Sequence, residues 1–284
     1  MRVRSDRLNQ AAVPSRPAVP SRAGDRAAAD DSRPAPVIIL SYGYSGAEHI
    51  QQALSGGTDL ACTAGTGILP VCEMAATAWA RVDARPGGGL SALARSSIRT
   101  LVSAQITCLL SAAGKRRWCE LATATPQAAR TFLQIMPESR FVCVHRACPG
   151  VIATAITAEP WGLTSLGLSA FTLAYPGNSA AAMAAYWAAV TEQLLAFQAA
   201  HPQSSSLVRY EDVIADGDHA LAGVRFSLGL DPDHPGPGGP GPENAQLPEN
   251  DRDGGPVQVH LIPAALRQRV DQLHAKLGYP PLAG

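Results

Sequence analysis

Short apolar runs alternate with longer amphipathic segments along this chain. Residues 37–40 (Val-Ile-Ile-Leu) and 141–144 (Phe-Val-Cys-Val) are β-branched or aromatic runs next to turn residues. Such runs are typical of parallel strands that are covered on both faces. Apolar positions recur at helical spacing over 90–113 and 179–200. Strands that alternate with helices predict an α/β fold, in which a central parallel sheet carries helices on both faces and forms a three-layer sandwich.

The same pattern predicts two more strands, over 117–121 and 206–210. The segment 58–67 is predicted to be a loop, because it lacks a sustained apolar period. Gly278 is expected at the C′ position of the last helix, a position that favours glycine. The remaining helices are predicted over 47–54, 71–82, 126–136, 219–228 and 263–277.

Two segments have the composition of solvated chain. Residues 1–36 are rich in Arg, Ala, Pro and Ser and contain no apolar core, which predicts a disordered leader and not a secretory signal. Residues 231–256 are dominated by Pro, Gly, Asn and Asp, which predicts a mobile loop. The remainder predicts a single α/β domain over 37–284 that contains this loop.

Composition narrows the expected partners. Lys plus Arg and Asp plus Glu both number 23 and the net charge is zero, so we expect no nucleic-acid partner. No apolar run approaches the roughly 18 residues of a membrane span, so we expect no membrane partner. The six cysteines form no CxxC pair. This predicts a cytoplasmic protein without a zinc site, another metal site or a disulfide framework.

The turn after the first strand has the pattern of an anion-binding loop. A strand, a small-residue turn and a helix follow one another over 37–54. In phosphate-binding loops of this kind, backbone N–H groups and a helix N-terminus face the anion. The fold is therefore predicted to be P-loop-like. Its candidate phosphate contacts are, in chain order, Ser41, Tyr44, Ser45, Gly46 and Ala47.

A second candidate anion site follows the strand at 141–144. Arg146 comes directly after this strand, and Thr154 lies in the helix beyond the Pro-Gly turn. Ligands of open α/β sheets bind outside the carboxyl ends of the strands, and a guanidinium can hold a phosphate through forked hydrogen bonds. The alternative is that Arg146 pairs with a surface carboxylate. Arg252 could reach the same anion from the late loop, unless that loop makes no contact.

Several segments, taken in order, resemble the sulfotransferase family that uses 3′-phosphoadenosine 5′-phosphosulfate (PAPS). Arg146, Pro149 and Thr154 are similar to the family's 3′-phosphate motif, and residues 207–213 (Leu-Val-Arg-Tyr-Glu-Asp-Val) resemble its Tyr-Glu-Asp turn. Trp118-Cys119-Glu120 and the Leu-Gly-Tyr ending at 277–279 also match. The resemblance covers about residues 37–279. It implies sulfuryl transfer from PAPS to a hydroxyl or amine of a small-molecule acceptor, such as a bacterial secondary metabolite, and leaves a homodimer open.

The first loop departs from the family pattern. Where relatives carry a cation and then Gly-Thr-Thr, this chain has Tyr44, Gly46, Ala47 and Glu48. Relatives of the tyrosylprotein type place a catalytic Glu where Gly65 stands. These departures motivate an alternative, a catalytically degenerate protein with the sulfotransferase fold that binds a nucleotide or metabolite without transfer. A P-loop kinase is disfavoured because no GxxxxGK[ST] string is present.

Three residues are candidates for the general base that sulfuryl transfer needs. His49 follows the first loop, Glu73 begins the next predicted helix, and Glu120 lies on the predicted central strand. The alternative for His49 is an exposed first-turn residue beside Glu48, and the alternative for Glu73 is an ordinary carboxylate at the start of a helix. Glu120 is a candidate of about the same strength as Glu73. Tyr186 is predicted either to line a pocket for the acceptor or to fill the core. Asp212 is predicted to be the N-cap of the helix after the Tyr-Glu-Asp turn.

Overall fold

The computed structural model describes residues 34–56, 59–83, 89–123, 125–159, 162–163, 167–230 and 259–282. The predicted leader over 1–36 lies outside the described residues except for its last three positions. The predicted mobile loop over 231–256, with the candidate Arg252, lies wholly outside them.

Five parallel strands form one sheet in the order β2-β3-β1-β4-β5. The predicted loop over 58–67 is wrong, because it contains the edge strand β2. That strand reads Leu-Ala-Cys-Thr-Ala, mostly small residues, and its pairing with β3 decides its conformation more than its own propensity does. The strands are β1 Val37–Leu40, β2 Leu60–Ala64, β3 Arg117–Ala122, β4 Arg140–His145 and β5 Ser205–Arg209.

Helices connect the strands, and those predicted from the sequence are confirmed with small shifts of their ends. The second helix begins at Ile68 and not at residue 71, because Pro70 is tolerated in a first turn. None of the described helices is both long and apolar enough to cross a membrane. The α-helices are α1 Ala47–Ser55, α2 Ile68–Asp83, α3 Ala92–Ala113, α4 Pro126–Ile135, α5 Cys148–Ala158, α6 Ser169–Ala174, α7 Ser179–Ala200, α8 Tyr210–Ala215, α9 Gly217–Leu228 and α10 Ala264–Leu277, with a 3-10 turn at Val259–Leu261.

The layers follow from the alternation of side chains along each strand. Ile38 and Leu40 of β1 belong to one buried cluster, which α2, α3, α4, α5, α7 and α10 complete. Val37 and Ile39 belong to the other, which α1 and α9 complete. All four β1 side chains are fully buried. The predicted three-layer α/β sandwich is therefore confirmed.

The connections leave a crevice beside the central strand. From β1 the chain enters α1 on one face, whereas from its neighbours β3 and β4 the chain enters α4 and α5 on the other face. At such a switch point the loops that follow adjacent strands diverge, and the crevice at the carboxyl ends is where ligands of open α/β sheets bind. The candidate loop after β1 and Arg146 after β4 both lie at this edge.

Candidate functional site

The first loop joins β1 to α1 and contains two left-handed residues. Tyr44 has φ 65° and Gly46 has φ 72°. Gly46 is the N-cap of α1 and provides no side-chain cap. A Cβ at Gly46 would lie 2.3 Å from the ring of Tyr210, so only glycine fits there. The loop is therefore packed directly against the start of α8.

Three backbone N–H groups of this loop are bonded within the protein. The Ser41 N–H donates to β3, and the Gly43 N–H donates to the Tyr186 hydroxyl at 3.1 Å. The Ser45 N–H donates to the Tyr42 carbonyl at 3.2 Å. The side chains of Ser41 and Ser45 are buried. In the first turn of α1 the His49 N–H donates to the Gly46 carbonyl at 3.1 Å, so an incoming anion would rely on the N–H groups of Ala47 and Glu48, which precede this first bond.

Arg146 is held against the first loop. Its side chain lies at the carboxyl end of β4 and the residue is only 4 % exposed. The Nη1 group donates to the Tyr44 carbonyl at 3.0 Å, and the guanidinium carbon lies 4.4 Å from the ring centre of Tyr210. Gly150 leaves room for it, since a Cβ there would lie 2.9 Å from Nε. The arginine therefore links the loop, α5 and α8.

The backbone of Arg146 is fixed as firmly as its side chain. The Tyr42 hydroxyl accepts from the Arg146 N–H at 3.0 Å and donates to the Arg146 carbonyl at 3.2 Å. The Trp187 indole donates to the same carbonyl at 2.8 Å. Burial raises the pKa of Tyr42, so its hydroxyl stays protonated. These hydrogen bonds fix the backbone position from which the Arg146 side chain extends.

Helix α5 runs alongside the loop. Thr154 lies one helical turn beyond Gly150, on the same side of α5 as the guanidinium contact, and is half-buried. The Tyr44 hydroxyl donates to the carboxylate of Glu159, the C-cap residue of α5. The residue that stands where relatives carry a cation thus ties the loop to the far end of α5.

Glu211 connects α5 to the end of the chain. One carboxylate oxygen accepts from the Ala147 N–H at 2.8 Å, and the other accepts from the Tyr279 hydroxyl at 2.8 Å. Burial, followed by the nearby Glu211 carboxylate, raises the pKa of Tyr279. The Tyr-Glu-Asp turn therefore supports the backbone next to Arg146.

The predicted N-cap role of Asp212 is wrong. Asp212 lies inside the short helix α8 and forms a two-pronged ion pair with Arg209, with Nη2 2.6 Å from Oδ1. The N-cap of the next helix is Asp216, which accepts from the His219 N–H at 3.2 Å. The extra helical turn at α8 moves the cap from one aspartate to the next.

Two buried histidines flank Arg146. His145 bonds through Nε2 to the Gln198 side chain at 3.0 Å, and burial lowers its pKa to about 4. His274 accepts from the Cys148 N–H at 3.2 Å through Nε2, while its Nδ1 lies 2.6 Å from the Pro280 carbonyl. That arrangement requires the neutral Nδ1–H tautomer, and burial lowers the pKa of His274.

Glu120, one predicted base, is enclosed by hydrogen-bond donors. It is 2 % exposed and accepts from the N–H and the hydroxyl of Thr66, both at 2.9 Å. The Thr63 hydroxyl donates to its second oxygen. Glu120 thereby anchors the turn between β2 and α2. Glu120 lies two residues before the end of β3, and the structure shows it as a hydrogen-bond acceptor for this turn.

The other predicted bases lie on separate helices. His49, in the first turn of α1, packs edge-on against Tyr210 with ring centres 5.8 Å apart, so it shares that ring with Arg146. Glu73 is half-exposed and lies in the second turn of α2, not at its start. The six cysteines are free, and among the described residues no three His, Cys, Asp or Glu side chains cluster as a metal site requires.

A cavity of about 220 Å³ opens beside the first loop, next to the carboxyl ends of β1 and β3. Tyr186, for which the sequence leaves a pocket and a core position open, lines this cavity, whereas its neighbour Trp187 is fully buried. The threonines after β3 carried no recognisable signal in the sequence. The cavity is lined by Ser41, Tyr42, Thr123, Thr125, Pro126, Gly167, Tyr186, Val190, Gln193 and Leu194.

Comparisons with known proteins agree with this fold. The sulfotransferase family model matches residues 36–234, so the chain belongs to the sulfotransferase family. The structure is similar to the sulfotransferase domain from the curacin biosynthetic pathway, with a TM-score of 0.53, 14% identity and coverage of 88% of this chain and 99% of that one. For a sulfotransferase from Alicyclobacillus acidocaldarius the values are 0.51, 12%, 87% and 96%. None of the curated proteins matches the chain.

Proposed function

We propose that this chain transfers a sulfuryl group from PAPS to a hydroxyl or amine of a small-molecule acceptor. The observation that carries the proposal is the contact between Arg146 and the first loop at the adjacent carboxyl ends of β4 and β1. In a member of the sulfotransferase family, this contact brings together the two segments that resemble the binding elements for the 3′-phosphate and the 5′-phosphosulfate.

The nucleotide end of the site suits a dianion. Arg146 lies beside the first loop at the carboxyl end of β4, and guanidinium groups bind phosphates through paired hydrogen bonds in a fixed fork. Thr154 lies on the same side of α5 and would add a hydroxyl donor. Arg146 and Thr154 would therefore hold the 3′-phosphate, and residues 41–47 would surround the 5′-phosphosulfate.

The reaction itself requires charge to be stabilised at the first loop. The acceptor oxygen bonds to sulfur while the bond from sulfur to the 5′-phosphate oxygen breaks. The bisphosphate leaves with that electron pair, and the acceptor gives up its proton. The N-terminus of α1 offers backbone donors and a favourable dipole to the leaving oxygen. Tyr44 brings no cation, and Glu48 in the same turn opposes the incoming charge. We therefore expect slower transfer than with a lysine in this loop.

His49 is the first candidate to test for the base. Its Nδ1 is buried without a hydrogen-bond partner among the described residues, so the ring keeps one nitrogen uncommitted. Glu120 is already bonded to Thr66 and Thr63. Glu73 lies further along α2.

The second candidate function is nucleotide or metabolite binding without transfer. The specific observation in its favour is the pair of bonds that Tyr44 makes, through its hydroxyl to Glu159 and through its carbonyl to Arg146. These bonds hold the loop closed on α5. Transfer of labelled sulfate from PAPS to any hydroxyl or amine acceptor would exclude this candidate, and loss of that transfer in His49→Gln would support the assigned base.

Calorimetric titration tests the nucleotide assignment. We expect adenosine 3′,5′-bisphosphate to bind at least about tenfold more tightly than adenosine 5′-monophosphate, because charge-assisted hydrogen bonds to the 3′-phosphate contribute about 1.5–3 kcal/mol. Arg146→Lys keeps the charge but loses the fork, so this preference should shrink. Arg269→Lys, at an exposed ion pair with Glu192, is the matched control. Equal binding of the two nucleotides by the unmodified protein would overturn the proposal.

A further inference from the structure

The cavity lies on the side of β1 away from Arg146. Ser41 and Tyr42 follow β1, whereas Thr123 and Thr125 follow β3, and the sheet order places β1 between β3 and β4. The Arg146 guanidinium contacts the loop at Tyr44, whereas the cavity meets the loop at Ser41 and Tyr42, and the Tyr42 hydroxyl also bonds to the Arg146 backbone. If the loop surrounds the 5′-phosphosulfate, as the proposed function states, a molecule in the cavity approaches the sulfuryl group from the side opposite the 3′-phosphate.

The described lining of this cavity contains no charged side chain. Its polar groups are hydroxyls, among them Thr123, Thr125 and Tyr186, and the amide of Gln193. Burial raises the pKa of Tyr186, so its hydroxyl stays neutral. Groups of this kind give and accept hydrogen bonds but cannot neutralise an ion.

The sequence on either side of the described lining residues is equally uncharged. Residues 121–129 and 160–191 contain no Asp, Glu, Lys, Arg or His. These two segments supply every lining residue except Ser41, Tyr42 and the last two on α7. The acidic residues that border them are engaged elsewhere, since Glu120 accepts from Thr66 and Glu192 pairs with Arg269. The described lining residues therefore have no charged neighbour within these two stretches of sequence.

We propose that the acceptor is a small, uncharged hydroxyl compound, and that this cavity rejects amines and carboxylates. The inference rests on the proposed function and narrows its acceptor class. Thr123, Thr125 and Gln193 are exposed at the rim, so an ion that enters keeps part of its hydration, but the part that it loses is not replaced by a counter-charge. The volume of about 220 Å³ is below the roughly 300–1,000 Å³ typical of sites for drug-sized ligands, so the acceptor is small.

Three probes of matched shape test this selectivity. They are 4-hydroxybenzyl alcohol, 4-hydroxybenzoate and 4-hydroxybenzylamine, which are neutral, anionic and cationic near neutral pH. Their dissociation constants are measured by NMR titration, with and without saturating adenosine 3′,5′-bisphosphate. We expect the neutral probe to bind several-fold more tightly than either ion, because each ion loses part of its hydration in the cavity without gaining a counter-charge.

Gln193 offers a way to reverse the preference. It is exposed on α7 at the cavity, so charged substitutions should leave the fold intact. Gln193→Lys should improve binding of the carboxylate several-fold, and Gln193→Glu should do the same for the amine. Ala196→Lys and Ala196→Glu are matched controls, because Ala196 is exposed on the same helix but does not line the cavity. They should change neither dissociation constant.

The outcomes separate this inference from the proposed function. If the nucleotide binds but the charged probes bind as well as the neutral one, the inference is overturned and the proposed function stands. If none of the probes binds, the inference is also overturned. If the nucleotide fails to bind while the neutral probe is preferred and the Gln193 variants shift that preference, the cavity's selectivity is supported and the proposed function fails.

Discussion

The two sides of the first loop use charge in opposite ways. On the Arg146 side, a buried guanidinium lies on Tyr210, and the carboxylate of Glu211 bridges two donors from different elements. On the cavity side, the described lining presents hydroxyls, one amide and apolar side chains. Both sides are built on the carboxyl ends of adjacent strands, so the difference comes from side chains and not from topology.

The contrast suggests that the Arg146 side contributes to the stability of the fold, whereas the cavity side determines which ligand is preferred. Ionised groups that are partly or fully buried are tolerated only when hydrogen bonds surround them, so the Arg146 side is fixed by many mutual bonds. Removing one partner there should leave another group unsatisfied. On the cavity side Tyr42 and Tyr186 are bonded within the protein, but Thr123 and Gln193 are exposed to water, so the contrast holds at these exposed positions. We therefore expect substitutions on the Arg146 side to cost stability and substitutions on the cavity side to change ligand preference.

The largest expected effect is at Gly46, where the loop meets the Arg146 side. Gly46→Ala places a Cβ 2.3 Å from the Tyr210 ring at a positive φ. Overpacking and backbone strain together should lower the free energy of unfolding by about 3–5 kcal/mol. Gly114 also has a positive φ but open space around it, so Gly114→Ala should cost only about 1–2 kcal/mol. Urea unfolding of both variants measures the difference, and equal costs would show that Tyr210 does not constrain the loop.

Glu211 tests the bonds on the Arg146 side directly. Glu211→Ala leaves the Ala147 N–H and the Tyr279 hydroxyl without their acceptor, which should cost about 2–3 kcal/mol. Glu211→Gln keeps an oxygen for one of them and should recover part of that loss. Gln193→Ala on the cavity side should stay within about 0.5 kcal/mol of the unmodified protein. A comparable loss in Gln193→Ala, measured by the same unfolding experiment, would contradict the contrast between the sides.

The pH dependence of stability should also originate near Arg146. Burial lowers the pKa of His145 from 6.5 to about 4, and burial lowers that of His274 as well. The unfolded chain then binds more protons than the folded chain between these values. Stability from these groups is fully present above about pH 6.5 and is lost as the pH falls toward 4. From about pH 7 to about pH 5 we expect a loss of roughly 2 kcal/mol, smaller in His145→Gln. An unchanged pH profile in that variant would exclude His145 as the source.

Much of the fold could be predicted because the apolar pattern of each segment agrees with the strand or helix that its packing in the fold requires. The buried runs at 37–40 and 141–144 became β1 and β4, and the helix predicted over 179–200 has those bounds in the structure. The strand β2 could not be predicted, since small residues such as Ala61 and Ala64 carry little strand propensity and the partner β3 supplies the pairing.

The candidate site was predictable only at its charged positions. The place of Arg146 after a buried strand indicated a residue at the sheet edge, and the structure puts it there. Two of the contacts of its guanidinium are with Tyr44 and Tyr210, which are distant in sequence. The cavity was harder still, because hydroxyl and apolar residues such as Thr123 and Val190 occur everywhere in proteins. Only the tertiary structure brings them together.

The smallest predicted effect lies on the cavity side, where a lining residue also has a structural task. Thr125 is the N-cap of α4 and accepts from the Ala128 N–H at 3.2 Å, whereas Thr123 lines the same cavity outside a helix. Thr125→Ala should therefore lower the free energy of unfolding by about 1 kcal/mol, and Thr123→Ala should change it by less than about 0.5 kcal/mol. Thr125→Ser keeps the cap oxygen and should recover stability. Because the loss at Thr125 comes from the helix and not from the cavity, it should be the same with and without a bound neutral probe. If the Thr125→Ala variant lost no stability when the probe was bound, the loss would originate in the cavity and not in the helix cap.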